Sequence, residues 1–266
     1  MPVSDNNINI VAIPAFNDNY IWAMTNKKNH SVCIVDPGDS VPVLSWLDNN
    51  PFKIESILIT HHHADHIGGV KQLVKDSDIP VFGPQNSPAD CINRPLIEGA
   101  ILDCLGLHFS VLNVPGHTMD HIAYFSVADN KHPPILFSGD TLFAGGCGRL
   151  FEGTAQKMHE SLKKIAELPN DTQVYCGHEY TISNLHFALE VEPKNEDLKR
   201  RFKRDKQKIV EGNPTVPSTL GMEKLTNPFL RCEKQSIVSA VSKRTGIPSS
   251  ITTEVFGALR SWKDNF

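Results

Sequence analysis

The run Thr60-His61-His62-His63-Ala64-Asp65-His66-Ile67-Gly68-Gly69 gathers four of the chain's twelve histidines into one short stretch. What flanks it constrains the fold. Ile54-Glu55-Ser56-Ile57-Leu58-Ile59 is apolar, isoleucine-rich and of strand length, and Val70 to Lys75 reads as helix, with Gly68-Gly69 near its start. A buried strand therefore ends in a polar loop and continues into a helix, with several polar groups converging where apolar ones would be expected. In extended chain successive side chains alternate in direction, so His61 and His63 project to one side and can grip one ion while His62 points away. Asp65 and His66, at the turn, can face a second ion.

Imidazole and carboxylate are the ligands that borderline divalent cations accept, and no cysteine lies nearby to close a tetrahedral sulfur site. That favours an open, reactive centre over a structural one. The six cysteines, Cys33, Cys91, Cys104, Cys147, Cys176 and Cys232, are scattered with no Cys-x-x-Cys pair, as expected of reduced, mostly buried thiols.

At 266 residues the chain is long enough for a large domain with a smaller appendage. A net charge of −4 gives no overall attraction to nucleic acid or to an anionic membrane. Met1 to Asn7 lacks the basic and apolar regions of a signal peptide, and no apolar run approaches the ~20 residues of a membrane span. The expectation is a cytoplasmic protein, working as a monomer on a small molecule, without nucleic-acid or membrane partners.

Three short β-like runs, 9–13, 20–24 and 31–35, are separated by Asn17-Asp18-Asn19 and Asn26-Lys27-Lys28-Asn29, which predicts an antiparallel meander. Val41 to Leu47 reads as a helix, 79–83 as a short strand, and 87–98 as loop. Strands are expected over 107–114, 121–127, 134–138 and 172–176. Ala155 to Leu168 places Met158, Leu162 and Ile165 on one face behind a Thr154 cap, with Pro169 as the stop. From Thr181 the spacing of Ile182, Leu185 and Leu189, then Leu198 and Phe202, Ile237 and Val241, and Val255, Leu259 and Trp262 is helical, broken at Pro193, Pro214, Pro217, Pro228 and Pro248. The basic run 199–204 is interleaved with Glu196, Asp197 and Asp205 and reads as a solvated helix face.

His117, Asp140 and His178 share one kind of address, each following a glycine at the end of a predicted strand. With His61, His63, Asp65 and His66 they make seven ligands, which suits two metals, three terminal ligands apiece and Asp140 shared. Ions held roughly 3.5–4 Å apart acidify the water between them enough to provide hydroxide near neutral pH.

At these residues the chain resembles the metallo-β-lactamase superfamily and, within it, glyoxalase II, the hydroxyacylglutathione hydrolases. The matching motifs are Asn17-Asp18-Asn19-Tyr20, Thr-His-His-His-x-Asp-His at 60–66, Pro-Gly-His-Thr at 115–118, Ser-Gly-Asp-Thr-Leu-Phe at 138–143 and Gly-Cys-Gly-Arg at 146–149. They continue through Glu-Gly-Thr at 152–154 and Cys-Gly-His-Glu-Tyr-Thr at 176–181 to Arg260-Ser261-Trp262-Lys263. The resemblance implies an α/β fold, an αββα sandwich over 1–178 that carries the chemistry, followed by a smaller all-helical substrate-binding domain over 179–266.

It further implies His61, His63 and His117 at one metal, Asp65, His66 and His178 at the other, and Asp140 bridging, with zinc the first expectation and iron or manganese open. Asp36 would orient a ligand histidine. The implied reaction is hydrolysis of S-D-lactoylglutathione to glutathione and D-lactate by the hydroxide, Asp65 being placed to take the water's proton although its main work is to fix an ion. Arg149, Tyr180, Arg260 and Lys263 would hold the glutathione part. Arg149 stands where many members have lysine, and Phe151 where some have a substrate-contacting tyrosine. A persulfide dioxygenase, a relative that handles a glutathione derivative with a single iron, is the alternative.

Overall fold

The computed structural model describes residues 8–129, 132–246 and 251–266. The helix break expected at Pro248 lies outside them. The chain divides into two compact units, one formed by Met1–Asn113 with Asp120–Gly139, the other by Val114–Met119 with Asp140–Phe266.

The first unit begins with the expected meander. Strands β1 (Ile8–Ala15), β2 (Asn19–Asn26) and β3 (Ser31–Val35) pair antiparallel in sequence order. Helix α1 (Ser40–Asp48), capped by Asp39 through the Val41 N–H at 2.9 Å, leads to β4 (Lys53–Leu58), which lies parallel to β3. After two single-turn helices, α2 (Ala64–Ile67) and α3 (Val70–Leu73), β5 (Val81–Pro84) and β6 (Arg94–Leu96) extend the parallel part. β3 is buried throughout, as is the end of β4, which is why these segments read as continuous apolar runs.

Two layers cover this sheet. Val43 of α1 and Val70 and Leu73 of α3 pack on Ile13, Ile21, Ile34, Ile57 and Val81. On the opposite face lie β7 (Ile101–Cys104), β8 (Leu107–Asn113), β9 (Ile122–Ser126) and β10 (Ile135–Gly139), antiparallel and neighbours in that order. Ser56 meets Cys104 across the layers at 3.5 Å, and the buried Tyr124 hydroxyl donates to the Ile59 carbonyl at 2.7 Å.

The second unit opens with a two-strand hairpin, β11 (Leu142–Phe143) and β12 (Gly146–Cys147). Helix α4 (Ala155–Ala166) has the expected Thr154 cap, accepting from the Lys157 N–H at 3.2 Å, and buries Met158, Leu162 and Ile165. Strand β13 (Gln173–Cys176) precedes helices α5 (Thr181–Val191) and α6 (Glu196–Val210). Leu185, Ala188 and Leu198 form the core between those helices, with Leu189 and Phe202 against it. Then come β14 (Ser218–Thr219), α7 (Leu220–Thr226), a 3-10 turn at Pro228–Leu230, α8 (Gln235–Thr245) and α9 (Thr252–Asp264).

Three expectations are corrected. Within 87–98, read as loop, β6 is a strand; Pro95 inside it cannot donate to a ladder, so it occupies an edge and leaves no strand signal. β14 interrupts the stretch read as wholly helical, pairing antiparallel with β13. Finally, the basic run is not entirely a solvated face. Lys199 and Arg200 pair with Glu196 and Asp197 in solvent, but Arg201 is buried and bound to Asp205 and Glu223.

Candidate metal centre

In the first unit the ligand cluster grows from the ends of β3 and β4. Asp36, just past β3, has φ 52°, a left-handed conformation that a non-glycine residue adopts only when its surroundings hold it there. Its Oδ1 accepts the Thr60 N–H at 2.8 Å, and its Oδ2 accepts the Thr60 hydroxyl at 2.7 Å and His66 Nδ1 at 3.0 Å. These contacts fix two histidine tautomers. His66 must carry its proton on Nδ1, because a carboxylate only accepts, so its Nε2 presents a lone pair. Thr60 has already given its single proton to Asp36, so at the 3.0 Å contact with His61 it accepts, and Nδ1 of His61 is the donor. His61 Nε2 therefore also presents a lone pair, 3.1 Å from Nδ1 of His63.

The alternation argument holds in this unit. The His61 and His63 rings lie 4.7 Å apart, whereas His62 turns to Asp120 at 2.9 Å. Asp65 and His66 sit on α2, with Asp65 Oδ2 3.6 Å from His66 Nε2. Asn19 donates to that same oxygen at 3.0 Å, which fixes the Asp65 carboxylate. Gly38 is needed for close approach, since a Cβ there would run into the Asp65 carbonyl. His121 stacks on His61 at 4.5 Å and donates from Nδ1 to the Ile122 carbonyl.

The second unit holds the other three candidates. Asp140 directly follows β10, but His117 comes only after three further residues beyond the end of β8, on a loop anchored by α4 through the Ser161 hydroxyl, which donates to the Pro115 carbonyl at 2.7 Å. His117 Nδ1 donates to the Arg149 carbonyl at 2.9 Å, which again leaves Nε2 with the lone pair. Asp140 Oδ2 lies 3.5 Å from His117 Nε2 and 3.3 Å from His178 Nε2, one carboxylate oxygen facing two imidazoles. All three side chains are buried.

The substrate candidates lie in this same unit. Tyr180, partly exposed, stacks on His178 with ring centroids 4.7 Å apart. Arg260 is 4% exposed rather than a solvated helix end. Its guanidinium grips Asp264 Oδ1 at 2.9 and 3.2 Å, donates to the Cys147 carbonyl at 2.9 Å and lies over the Phe229 ring. The exposed Arg149 lies 3.8 Å from the same Asp264 oxygen. Lys263 rests over Phe187 and Phe266; burial, with Arg260 and Arg149 near it, pulls its pKa down. Phe151 is exposed, 5.2 Å edge-on from His117. Burial pushes the Cys147 thiol up to about 11 against the pull of Arg260, so it is a packed thiol, not a nucleophile. Asn19, Thr60 and Asp264 were missed as functional residues. For Asp264 a signal existed, its i, i+4 spacing from Arg260.

The donor chemistry fits divalent cations. Imidazole nitrogens with lone pairs fixed by carboxylate, hydroxyl and carbonyl partners on their far side, together with carboxylate oxygens and no thiolate, are what zinc, iron or manganese accept. Within the first unit, Asp36, His61 and His66 offer donor atoms within 4.8 Å of one another. Among the described residues no helix is long and apolar enough to cross a membrane.

This donor set on a layered α/β scaffold defines the class. Residues 21–178 match the metallo-beta-lactamase superfamily, and the chain is an enzyme of that metal-binding fold. Two solved structures share the architecture. ETHE1 from Myxococcus xanthus is 22% identical, with 96% of this chain and 99% of that one covered and a TM-score of 0.63. TTHA1623, solved in a di-iron-bound form, is 26% identical, with 84% and 100% covered and a TM-score of 0.57. Residues 179–266 match the hydroxyacylglutathione hydrolase C-terminus. A hydroxyacylglutathione hydrolase of Pseudomonas entomophila is 49% identical over 260 residues, 97% of this chain and all of that one. The chain belongs to the hydroxyacylglutathione hydrolases.

Proposed function

We propose that the protein hydrolyses S-(2-hydroxyacyl)glutathione thioesters, S-D-lactoylglutathione foremost, to glutathione and the 2-hydroxy acid, D-lactate, as the second step of methylglyoxal detoxification. On this reading His61, His63 and His117 hold one divalent cation, Asp65, His66 and His178 a second, and Asp140 serves both, zinc being the first choice. Two such ions supply an acidified water and positive charge for the oxyanion of the tetrahedral intermediate. The di-iron form of the neighbour TTHA1623 supports a two-ion site.

The chain's own residues do the rest. Asp36, Thr60 and the Arg149 carbonyl keep the ligand nitrogens of His66, His61 and His117 unprotonated and aimed. Asn19 holds the Asp65 carboxylate, the candidate acceptor for the water's proton. Arg149, Arg260 and Lys263 offer positive charge to the carboxylates of glutathione, and Tyr180 its hydroxyl; residues 179–266, which carry three of these four, form the substrate-binding domain on this reading. The departing thiolate is a good leaving group because a thiol is far more acidic than an alcohol, so no dedicated general acid is needed. We assign the activity to the cytoplasm and to the monomer.

The observation that carries this reading is Asp140 Oδ2 facing both His117 and His178 in the unit that also carries Arg149 and Arg260. The test is hydrolysis of S-lactoylglutathione followed by absorbance, with metal content measured on the same samples. Wild type turns over with two metals per chain, and Asp140→Ala abolishes turnover. Equal activity in Asp140→Ala overturns the shared-ligand assignment, and one iron per chain with oxygen consumption overturns the hydrolase.

A further inference from the structure

Between Asp140 and Arg149 the chain makes the β11–β12 hairpin, and buried side chains from elsewhere in the second unit hold the backbone of its turn. Glu223 Oε2 accepts the Gly145 N–H at 2.8 Å. Asn184 Nδ2 donates to the Ala144 carbonyl at 3.1 Å. Asn227 Nδ2 donates to the Phe143 carbonyl at 3.2 Å and the Gly146 carbonyl at 2.9 Å. Glu223 and Asn227 are fully buried. A side chain at Gly146 would collide with the Asn184 amide, so the fit leaves no slack.

Glu223 is itself held by charge. Its Oε1 accepts from Arg201 at 2.6 Å and from Ser218 at 2.5 Å, while Arg201 also binds Asp205 at 3.3 Å and Thr226 at 2.6 Å. Arg201, Asp205 and Glu223 are all at most 2% exposed. A buried ionic triad is a poor source of stability, since a well-packed apolar replacement of the same volume is commonly as stable or more so. Its presence calls for another reason, and the hairpin supplies one. One end of the hairpin carries Asp140, and the other carries Gly148 and Arg149, where the Gly148 N–H returns to the Thr141 carbonyl at 3.3 Å and the Arg149 carbonyl takes the His117 Nδ1 proton. Between them, Cys147 offers its carbonyl to Arg260.

We propose that Glu223, held in place by Arg201, is a positioning residue for the metal centre: by holding the Gly145 N–H it sets the hairpin that aims Asp140 at one end and His117 and Arg260 at the other. This rests on the two-metal reading above. Glu223 is not among the proposed metal or substrate ligands; it acts on the hairpin through the Gly145 N–H and through Asn227, whose Nδ2 donates to Glu223 Oε2 at 3.2 Å.

The test uses the full-length, metal-loaded protein. In Arg201→Met/Glu223→Leu both charges go together, and Asp205, which loses Arg201, keeps its ion pair with Arg204 at 2.7 Å. Asn184→Ala removes a different contact to the same turn. Three quantities are measured on each: Tm, the rate of metal loss to a chelator, and kcat against KM for S-lactoylglutathione. The expected result for the double variant is a Tm near wild type with metal loss faster and kcat lower by roughly 10- to 100-fold, the range for partners one step removed from a metal ligand, and KM little changed. Asn184→Ala is expected to move the same two quantities in the same direction by less. Wild-type metal retention and kcat in folded double variant overturn the proposal. If the double variant does not fold, wild-type retention in Asn184→Ala overturns it. A wild-type protein that binds no metal or leaves the thioester intact rejects the functional reading instead, so the two failures are distinguishable.

Discussion

The Asp36 carboxylate accepts the His66 Nδ1 proton at 3.0 Å, with both side chains buried. Asp36→Asn puts an amide NH2 either against His66 or, flipped, against the Thr60 N–H. The first arrangement is relieved only if His66 moves its proton to Nε2, which blocks ligation there, and the second leaves two donors facing each other. Metal affinity is expected to fall about 10- to 100-fold, with kcat falling alongside. Competition titration against a chromogenic chelator measures it, and unchanged affinity would show that Asp36 does not set the tautomer.

The placement of His61 and His63 was legible because alternation along an extended chain is a local rule, as was the Thr154 cap of α4. The Asn19 contact to Asp65 was not, since it joins residues 46 apart and depends on how the meander lies over α2. Arg201 was misread for another reason. The buried positions of α6 are Leu198, Arg201 and Asp205, with Phe202 only partly buried, so two of the three are charged and apolar periodicity sees only Leu198 and Phe202. Similarly, the burial of Arg260 depends on Asp264 and Phe229 around it, and composition at a helix end reads the same for a solvated cation.

Gly38 bears on the same cluster as Asp36 from the backbone side. In Gly38→Ala the new methyl would meet the Asp65 carbonyl, and backbone cannot swing away as a flexible side chain can. Overpacking of this kind costs about 3 kcal/mol, and here the strain falls on a candidate ligand. Urea denaturation is expected to show the lower stability, and the purified variant to carry less metal than wild type. A variant with full metal content and an unshifted midpoint would show that α2 can move away at no cost.

His159 is expected to make stability sensitive to mild acid. Burial pulls its pKa down, Lys163 adding to the effect while Glu233 and Glu160 oppose it, and its Nδ1 has no hydrogen-bond partner. The unfolded chain takes up this proton near pH 6.5, whereas the folded one resists until lower pH. The contribution of neutral His159 is thus fully present above about pH 6.5 and is lost as pH falls from there through the folded-state pKa. His159→Leu deletes the titration without leaving a partner unpaired. Across about pH 7 to 5.5 its Tm should fall less than that of wild type, and parallel profiles would rule out His159 as the source.

Lys263 and Arg260 lie one helical turn apart on α9, yet their substitution should have different consequences. Lys263 contacts Ser183 at 3.4 Å and rests on two aromatic rings, so Lys263→Ala removes a charge without leaving a buried ion behind. Losing one charged hydrogen bond to the substrate is worth about 1.5–3 kcal/mol, so KM should rise about tenfold or more with kcat and Tm close to wild type. Arg260→Ala removes the same kind of charge but also strips the Cys147 carbonyl and Asp264 of their donor. Here KM should rise, Tm should fall, and kcat should decline as well, because the hairpin that carries Asp140 loses an anchor. Steady-state kinetics with S-lactoylglutathione beside thermal melts separate the two patterns. A KM unchanged in both variants would remove α9 from the glutathione site.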